Sequence, residues 1–121
     1  MKYSLKKDSQ YTILALEEER LDSTIAPDLK SEMLNLQAIG TSNLILDLSG
    51  TKYADSSGLS ALLTGHRTFG ENGGYFVLNG VSDFVIKLLS ISKLTNVLNI
   101  AENEQQAIDF ILEEPSEEGE A

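Results

Sequence analysis

The apolar positions of this chain change rhythm several times, and each change marks an element. In YTILAL, Tyr11 to Leu16, nearly every residue is apolar or β-branched, which predicts a short strand; the weaker alternation of YSLKK before it predicts a hairpin partner or edge strand. The rhythm then lengthens. In STIAPDLKSEMLNLQAIG, Leu29, Met33 and Leu36 recur at i, i+4 and i+7, and Pro27 sits where a first helical turn accepts it. Ser23 or Thr24 offers a hydroxyl cap and Gly40 ends the run, so an amphipathic helix is predicted. NLILDL returns to consecutive apolar residues, Leu44, Ile45 and Leu46, the pattern of a central strand covered on both faces in a parallel sheet.

Leu59, Leu62, Leu63 and His66 restore helical spacing until GENGG, whose glycines read as helix stop and turn, and YFVL, Tyr75 to Leu78, supplies the next strand. Ser82 is placed to cap a third helix with Val85, Leu88 and Leu89 facing inward. NVLNI, Asn96 to Ile100, reads as a last short strand, and Asn103 with Gln106 resembles a capping box opening EQQAIDFILEE. Strand and helix alternate to the end with no internal repeat. That order predicts the α/β class: one mostly parallel sheet, right-handed crossovers, and helices packed on it.

A chain of 121 residues can close one hydrophobic core without covalent staples, and with no Cys it has neither disulfides nor thiolate chemistry. The net charge of −10, with no basic patch to offset it, argues against nucleic acid as a partner. No apolar run approaches the ~18 residues of a membrane span, so direct membrane insertion is not expected and the protein reads as soluble and cytoplasmic. Part of the acidity is segregated in EEPSEEGEA, Glu113 to Ala121, which holds no apolar residue larger than Ala. Such a segment cannot bury enough surface to offset its ordering entropy, so a disordered acidic tail, 113–121, is expected on a domain spanning 1–112.

Candidate chemistry concentrates in YADSSGLSALL, where Asp55, Ser56, Ser57 and Gly58 stand at the start of a helix. Open α/β sheets usually place their sites in such strand-to-helix loops. A serine nucleophile needs a base within hydrogen-bond reach, and the only histidine is His66. Along one continuous helix the ten intervening steps put Ser56 and His66 ~15 Å apart, so a catalytic pair is excluded and no enzyme is expected. With a single His, no Cys, and Asp22, Asp47 and Asp55 in no ligand spacing, no metal is expected. Neither DSSG nor GENGG has the Gly-Lys-Ser/Thr end of a nucleotide-binding loop, so no cofactor is expected. Two readings of the serines stand. Asp55, Ser56 or Ser57 caps the helix, or Ser56 accepts a phosphate from a separate kinase, where ~2 added negative charges would transform any surface a partner must touch.

The segment DSSGL, Asp55 to Leu59, following LILDLSGTKYA, resembles the signature loop of the STAS domain of bacterial anti-sigma factor antagonists. RLDSTIAPDLK resembles that family's Leu-Asp segment, and NGGYFVLNGVSDFVIKLLSISKLTNVLNI resembles its glycine turn, strand, helix and last strand. The resemblance implies a single STAS-like domain. It further implies that Ser56 is phosphorylated by a partner anti-sigma factor with serine kinase activity, and that a PP2C-type phosphatase removes the phosphate. Asp22, Asp55, Ser57 and Gly58 would then belong to the partner-binding surface, with Gly58 letting the loop turn tightly. In two places the chain departs from the family, which often has a glycine where this chain has EER before Leu21, and another where it has Lys93.

The function implied is a phosphorylation-switched binding protein that, unphosphorylated, sequesters an anti-sigma factor and so frees a sigma factor. An accessory subunit of a transport or signalling complex is the alternative within the same family. A receiver-type phospho-aspartate domain would use Asp47 at the end of its strand, but EEER after YTILAL is not followed by the acidic pocket such a domain needs. Deletion of residues 113–121 is expected to leave the melting temperature within a few degrees of the full chain, and a larger fall would mean that the acidic segment packs.

Overall fold

The computed structural model describes the backbone of residues 1–119 and the side chains of residues 1–113. In chain order its elements are β1 (Tyr3–Lys7), β2 (Thr12–Leu16), β3 (Arg20–Leu21), α1 (Ala26–Ala38), β4 (Leu44–Asp47), β5 (Tyr53–Ala54), α2 (Ser56–Glu71), β6 (Phe76–Asn79), α3 (Asp83–Ile91), β7 (Asn99–Ala101) and α4 (Glu104–Gly119). The main sheet has the order β1-β2-β4-β6-β7. Only β1 is antiparallel, paired with β2 so that Tyr3 lies opposite Leu16 and Lys7 opposite Thr12. The remaining pairs are parallel, which requires a helical crossover between each successive strand.

The consecutive apolar residues of the central strands face two layers. Leu44, Leu46, Phe76 and Leu78 point into a large core with Leu29, Met33 and Leu36 of α1, Leu59, Leu62 and Phe69 of α2, and Val85 and Leu89 of α3. Ile45, Val77 and Ile13 of β2 point the other way, onto Ala107 and Ile111 of α4. Residues that alternate across a strand thus go to opposite faces, and both faces are covered. Each fully buried Leu contributes ~1.5–3 kcal/mol, so the strand pattern and the helix stripes specify one another.

Local chemistry matches the expected elements closely at some ends and departs at others. Ser82 Oγ accepts from the Val85 N–H at 3.2 Å and caps α3 as expected. At α4, Asn103 Oδ1 accepts from the Gln106 N–H at 2.9 Å, while Gln106 Oε1 reaches one residue further back than a standard capping box, to the Glu102 N–H at 3.0 Å. The expected hydroxyl cap of α1 is absent. Ile25 is the cap residue and no side chain bonds there, because Ser23 and Thr24 are held in a turn by Asp22. The last strand lies later than expected, at Asn99–Ala101, because Val97 and Leu98 both donate backbone N–H bonds to Leu94 O in a helical turn. The short strands β3 and β5, which form a separate parallel pair, carry no periodic signal and were not expected. The acidic segment expected to be a tail begins in the last turns of α4, and its side chains from residue 114 lie outside the described residues.

The departure at Lys93 has a structural counterpart. α3 ends with Lys93 at φ 62°, in the left-handed region that favours glycine. Leu94 N–H bonds to Leu89 O at 2.8 Å and Lys93 N–H to Ser90 O at 3.0 Å, the pair of bonds of a Schellman turn. A side chain in this conformation costs ~1–2 kcal/mol, partly offset by the extra freedom glycine has when unfolded. Lys93→Gly is therefore expected to stabilise the fold by ~0.5–1 kcal/mol. Urea unfolding checks this, and an unchanged or lower midpoint would contradict it.

Candidate functional site

The site is built where β3 and β5 meet. Arg20 pairs with Tyr53 and Leu21 with Ala54, which lays the Leu21-Asp22 segment beside the residues leading into α2. The Ser56 loop therefore does not open straight from central β4; β5 intervenes and carries it to β3. The Asp55 N–H continues the pairing with a bond to Leu21 O at 3.3 Å. Gly58 is buried against the same segment, and a Cβ there would lie 2.3 Å from Leu21 O and 3.0 Å from Leu21 Cγ. Only a glycine lets the first turn of α2 come this close to β3.

Asp55 decides which side chain caps the helix. Its backbone is extended, its Oδ1 accepts from the Gly58 N–H at 3.1 Å, and its carbonyl receives the Leu59 N–H at 3.0 Å. The capping role falls to Asp55. Ser56 is the first helical residue, exposed, and its hydroxyl has no hydrogen bond among the described residues. Ser57 is half-buried beside it.

Asp22 sits across the seam in a turn of its own. Its Oδ1 accepts from the Thr24 hydroxyl at 2.6 Å and the Thr24 N–H at 3.0 Å, and its Oδ2 lies 3.7 Å from Arg20 Nε. The Thr24 hydroxyl, then the Thr24 backbone, then the Arg20 charge hold the Asp22 carboxyl below its ordinary pKa. The five site residues expected from the sequence, Asp22, Asp55, Ser56, Ser57 and Gly58, thus lie together along one seam between β3 and the start of α2.

Other residues at this seam were not legible beforehand. Arg20 lies over the Tyr53 ring at 4.2 Å, and the Tyr53 and Phe84 rings are 5.2 Å apart, so a cation and two aromatics stack beside the loop. On the other side, Lys30 of α1 donates to Ser60 Oγ at 2.9 Å. Ser60 could have been picked out as four residues beyond Ser56 on one helix face, whereas nothing local marks Lys30.

Ser56 and His66 are both in α2, with the intervening helix separating them by ~15 Å. Asp47 Oδ1 is engaged by the Ser49 N–H at 2.9 Å and by the Ser49 hydroxyl, in a turn rather than in an acidic pocket. Among the described residues no group of three or more His, Asp or Glu could hold a metal ion, and no helix is long and apolar enough to cross a membrane.

The family model of the STAS domain matches residues 2–107. An anti-sigma-B factor antagonist of Staphylococcus aureus is 26% identical over 82 residues, which cover 68% of this chain and 76% of that protein. Among solved structures, the anti-sigma factor antagonist SpoIIAA in its unphosphorylated form superposes with a TM-score of 0.74 at 21% identity, covering 89% of this chain and 94% of its own. The phosphorylated form of the Bacillus cell fate determinant SpoIIAA gives 0.68 at 21% identity, covering 89% and 97%. A sulfate transporter family protein from Wolinella succinogenes gives 0.71 at 20% identity, covering 82% of each chain. These structural likenesses establish a shared fold.

The Asp22 turn has a pH signature. Its folded carboxyl titrates below the ~3.9 of an unfolded aspartate, so its contribution to stability is whole above that value and is lost as pH falls through the folded one. Thr24→Val removes the hydroxyl donor and keeps the backbone N–H. It is expected to move the Asp22 pKa up towards the ordinary value, as followed by carbon NMR of the carboxyl. No movement would remove the hydroxyl as the main cause.

Proposed function

The chain belongs to the STAS domain family, and on that footing we propose that it is an anti-sigma factor antagonist switched by phosphorylation of Ser56. The observation that carries this reading is the division of labour at α2: Asp55 holds the cap, leaving the Ser56 hydroxyl exposed and unbonded among the described residues. A hydroxyl needed by the fold could not be modified without cost. This one can.

The unphosphorylated protein binds an anti-sigma factor through the seam that presents Asp22, Asp55 and Ser57, with Gly58 buried beneath it as the close contact that shapes it rather than as a touching residue, and so releases a sigma factor. The anti-sigma factor is itself a serine kinase. It transfers the γ-phosphoryl of ATP to Ser56 Oγ: the new bond is O–P, the β–γ phosphoanhydride bond breaks, ADP leaves, and the hydroxyl proton is lost. A PP2C-type phosphatase restores the hydroxyl by hydrolysis. SpoIIAA, which shares the fold, has been solved with and without phosphate, which supports a modification compatible with this architecture. The partners on this reading are cytoplasmic, and so is the protein; it performs no chemistry of its own.

The new charge acts at the contact and leaves the fold intact. The first turn of α2 offers unpaired N–H groups and the positive end of the helix dipole, which tolerate an anion. A partner surface packed against Ser56 must instead desolvate or repel ~2 negative charges.

A second reading, an accessory domain of a transport machine, has the Wolinella succinogenes neighbour behind it. Affinity capture separates the two by whether a kinase or a membrane transporter accompanies the protein. With the captured kinase in hand, Ser56→Ala is expected to abolish labelling and keep binding. Phosphorylated protein is expected to bind more weakly by ~30- to 150-fold, equivalent to ~2–3 kcal/mol, with an unchanged circular dichroism spectrum. Equal affinity with and without the phosphate, or labelling that survives Ser56→Ala and vanishes in Ser57→Ala, would defeat the assignment.

A further inference from the structure

Lys30 occupies an unusual position for a cation in this chain. The sequence holds 19 acidic residues against 9 Lys and Arg, yet the half-buried residue Lys30 has no carboxylate within 4.0 Å of its ammonium among the described residues. It is held on α2 by a neutral group, donating to Ser60 Oγ at 2.9 Å. An ammonium carries three donors, and a single hydroxyl engages only one of them.

Ser60 fixes where that ammonium lies. It is one helical turn after Ser56, so the two side chains share a face with Cβ atoms ~5–6 Å apart. Helical side chains lean towards the N-terminus, so Ser60 Oγ, with Lys30 on it, leans towards Ser56. Ser23, Pro27, Lys30, Ser56, Ser57 and Ser60 line one open cleft of about 370 Å³ between α1 and α2. The cleft is open to solvent and has room for a phosphoryl group on Ser56.

We propose that Lys30 is the built-in counter-charge for the phosphoryl group on Ser56, receiving it in the cleft between α1 and α2. This rests on Ser56 being the modified residue. The phosphoryl oxygens take up the two remaining donors of Lys30, which swings by one bond or two while its stem stays on α1. The phosphate is thereby oriented along the groove, and the form presented to a partner has a defined shape as well as a charge.

Among the described residues, Lys30 is the only ionisable one lining the cleft. Three carboxylates on the neighbouring segments have partners of their own: Asp55 the Gly58 N–H, Asp22 Thr24 and Arg20, and Asp28 of α1 the Met1 amine at 3.6 Å. From β5 the titratable group is the Tyr53 phenol, stacked between Arg20 and Phe84, and β6 contributes no charged residue. Removing Lys30 therefore changes one facing charge.

The test supplies phosphoserine at position 56 of the full chain by genetic encoding, in the unchanged, Lys30→Gln and Lys30→Arg backgrounds. Phosphorus NMR then follows the second ionisation of the phosphate, near pH ~6. Lys30→Gln is expected to raise that pKa by ~0.5–1 unit, the small end for a pair open to solvent, and Lys30→Arg to keep it near the unchanged value. Equal values in the unchanged and Lys30→Gln proteins, both folded by amide NMR, would overturn the pairing. Should Lys30→Gln fail to fold, the unchanged chain answers alone: its Lys30 Cε and Nζ shifts should titrate with the phosphate, and flat shifts overturn the proposal. Because the phosphate is installed without a kinase, a failure of Ser56 to be modified in cells would defeat the proposed function and leave this pairing still measured.

Discussion

The carbonyl oxygen of Leu21 and the α-carbon of Gly58 approach so closely that a methyl group at position 58 would lie 2.3 Å from that oxygen. The contact lets β3 and β5 pair in register and lets the first turn of α2 dock on them. Asp22 and Asp55 come from segments more than thirty residues apart, and the same contact sets their two turns side by side. A larger residue would have to push helix and strand apart. The backbone bond from Asp55 to Leu21 would be among the first lost, and with it the register of the whole seam.

Within that seam, charge is distributed so that each carboxylate is spent on local structure. Asp55 satisfies an orphan N–H of the helix and Asp22 closes the turn before α1. The serines between them carry no structural burden of this kind, apart from Ser60, which positions Lys30. In a chain of net charge −10, an additional anion near Ser56 would be poorly received almost anywhere else on the surface. At Ser56 the amino end of a helix is at hand, and Lys30 across the cleft has no carboxylate within 4.0 Å among the described residues. Beside it, the exposed Phe84 and the Arg20–Tyr53 stack provide an apolar flank of the kind that anchors protein contacts.

The two faces of the main sheet divide the work. On one face three helices enclose most of the core, and α1 and α2 there carry Lys30 and Ser56. On the other, among the described residues, α4 covers Ile13, Ile45 and Val77. The face with the larger core is the one that carries the Ser56 loop. The Ser56 loop is held there by the packed pair α1 and α2 and by the short strand pair β3 and β5.

The alternation of strands and helices was determined by the sequence alone, because hydrophobic period is a local property: consecutive apolar residues in NLILDL and YFVL, and spacings of three and four around Leu29 and Leu62, each admit one kind of element. The Ser82 and Asn103 caps were legible for the same reason, their partners lying three residues away. The tertiary structure alone decided what depends on residues distant along the chain. Two-residue strands such as β3 and β5 have no period to read and exist only because each finds the other. The cap of α1 was lost because Asp22 claims Thr24, and the last strand moved because Leu94 draws Val97 and Leu98 into a turn. Among Asp55, Ser56 and Ser57, three residues chemically able to cap, only the packed geometry left one hydroxyl exposed, since a cap is chosen by where the backbone enters the helix and not by composition.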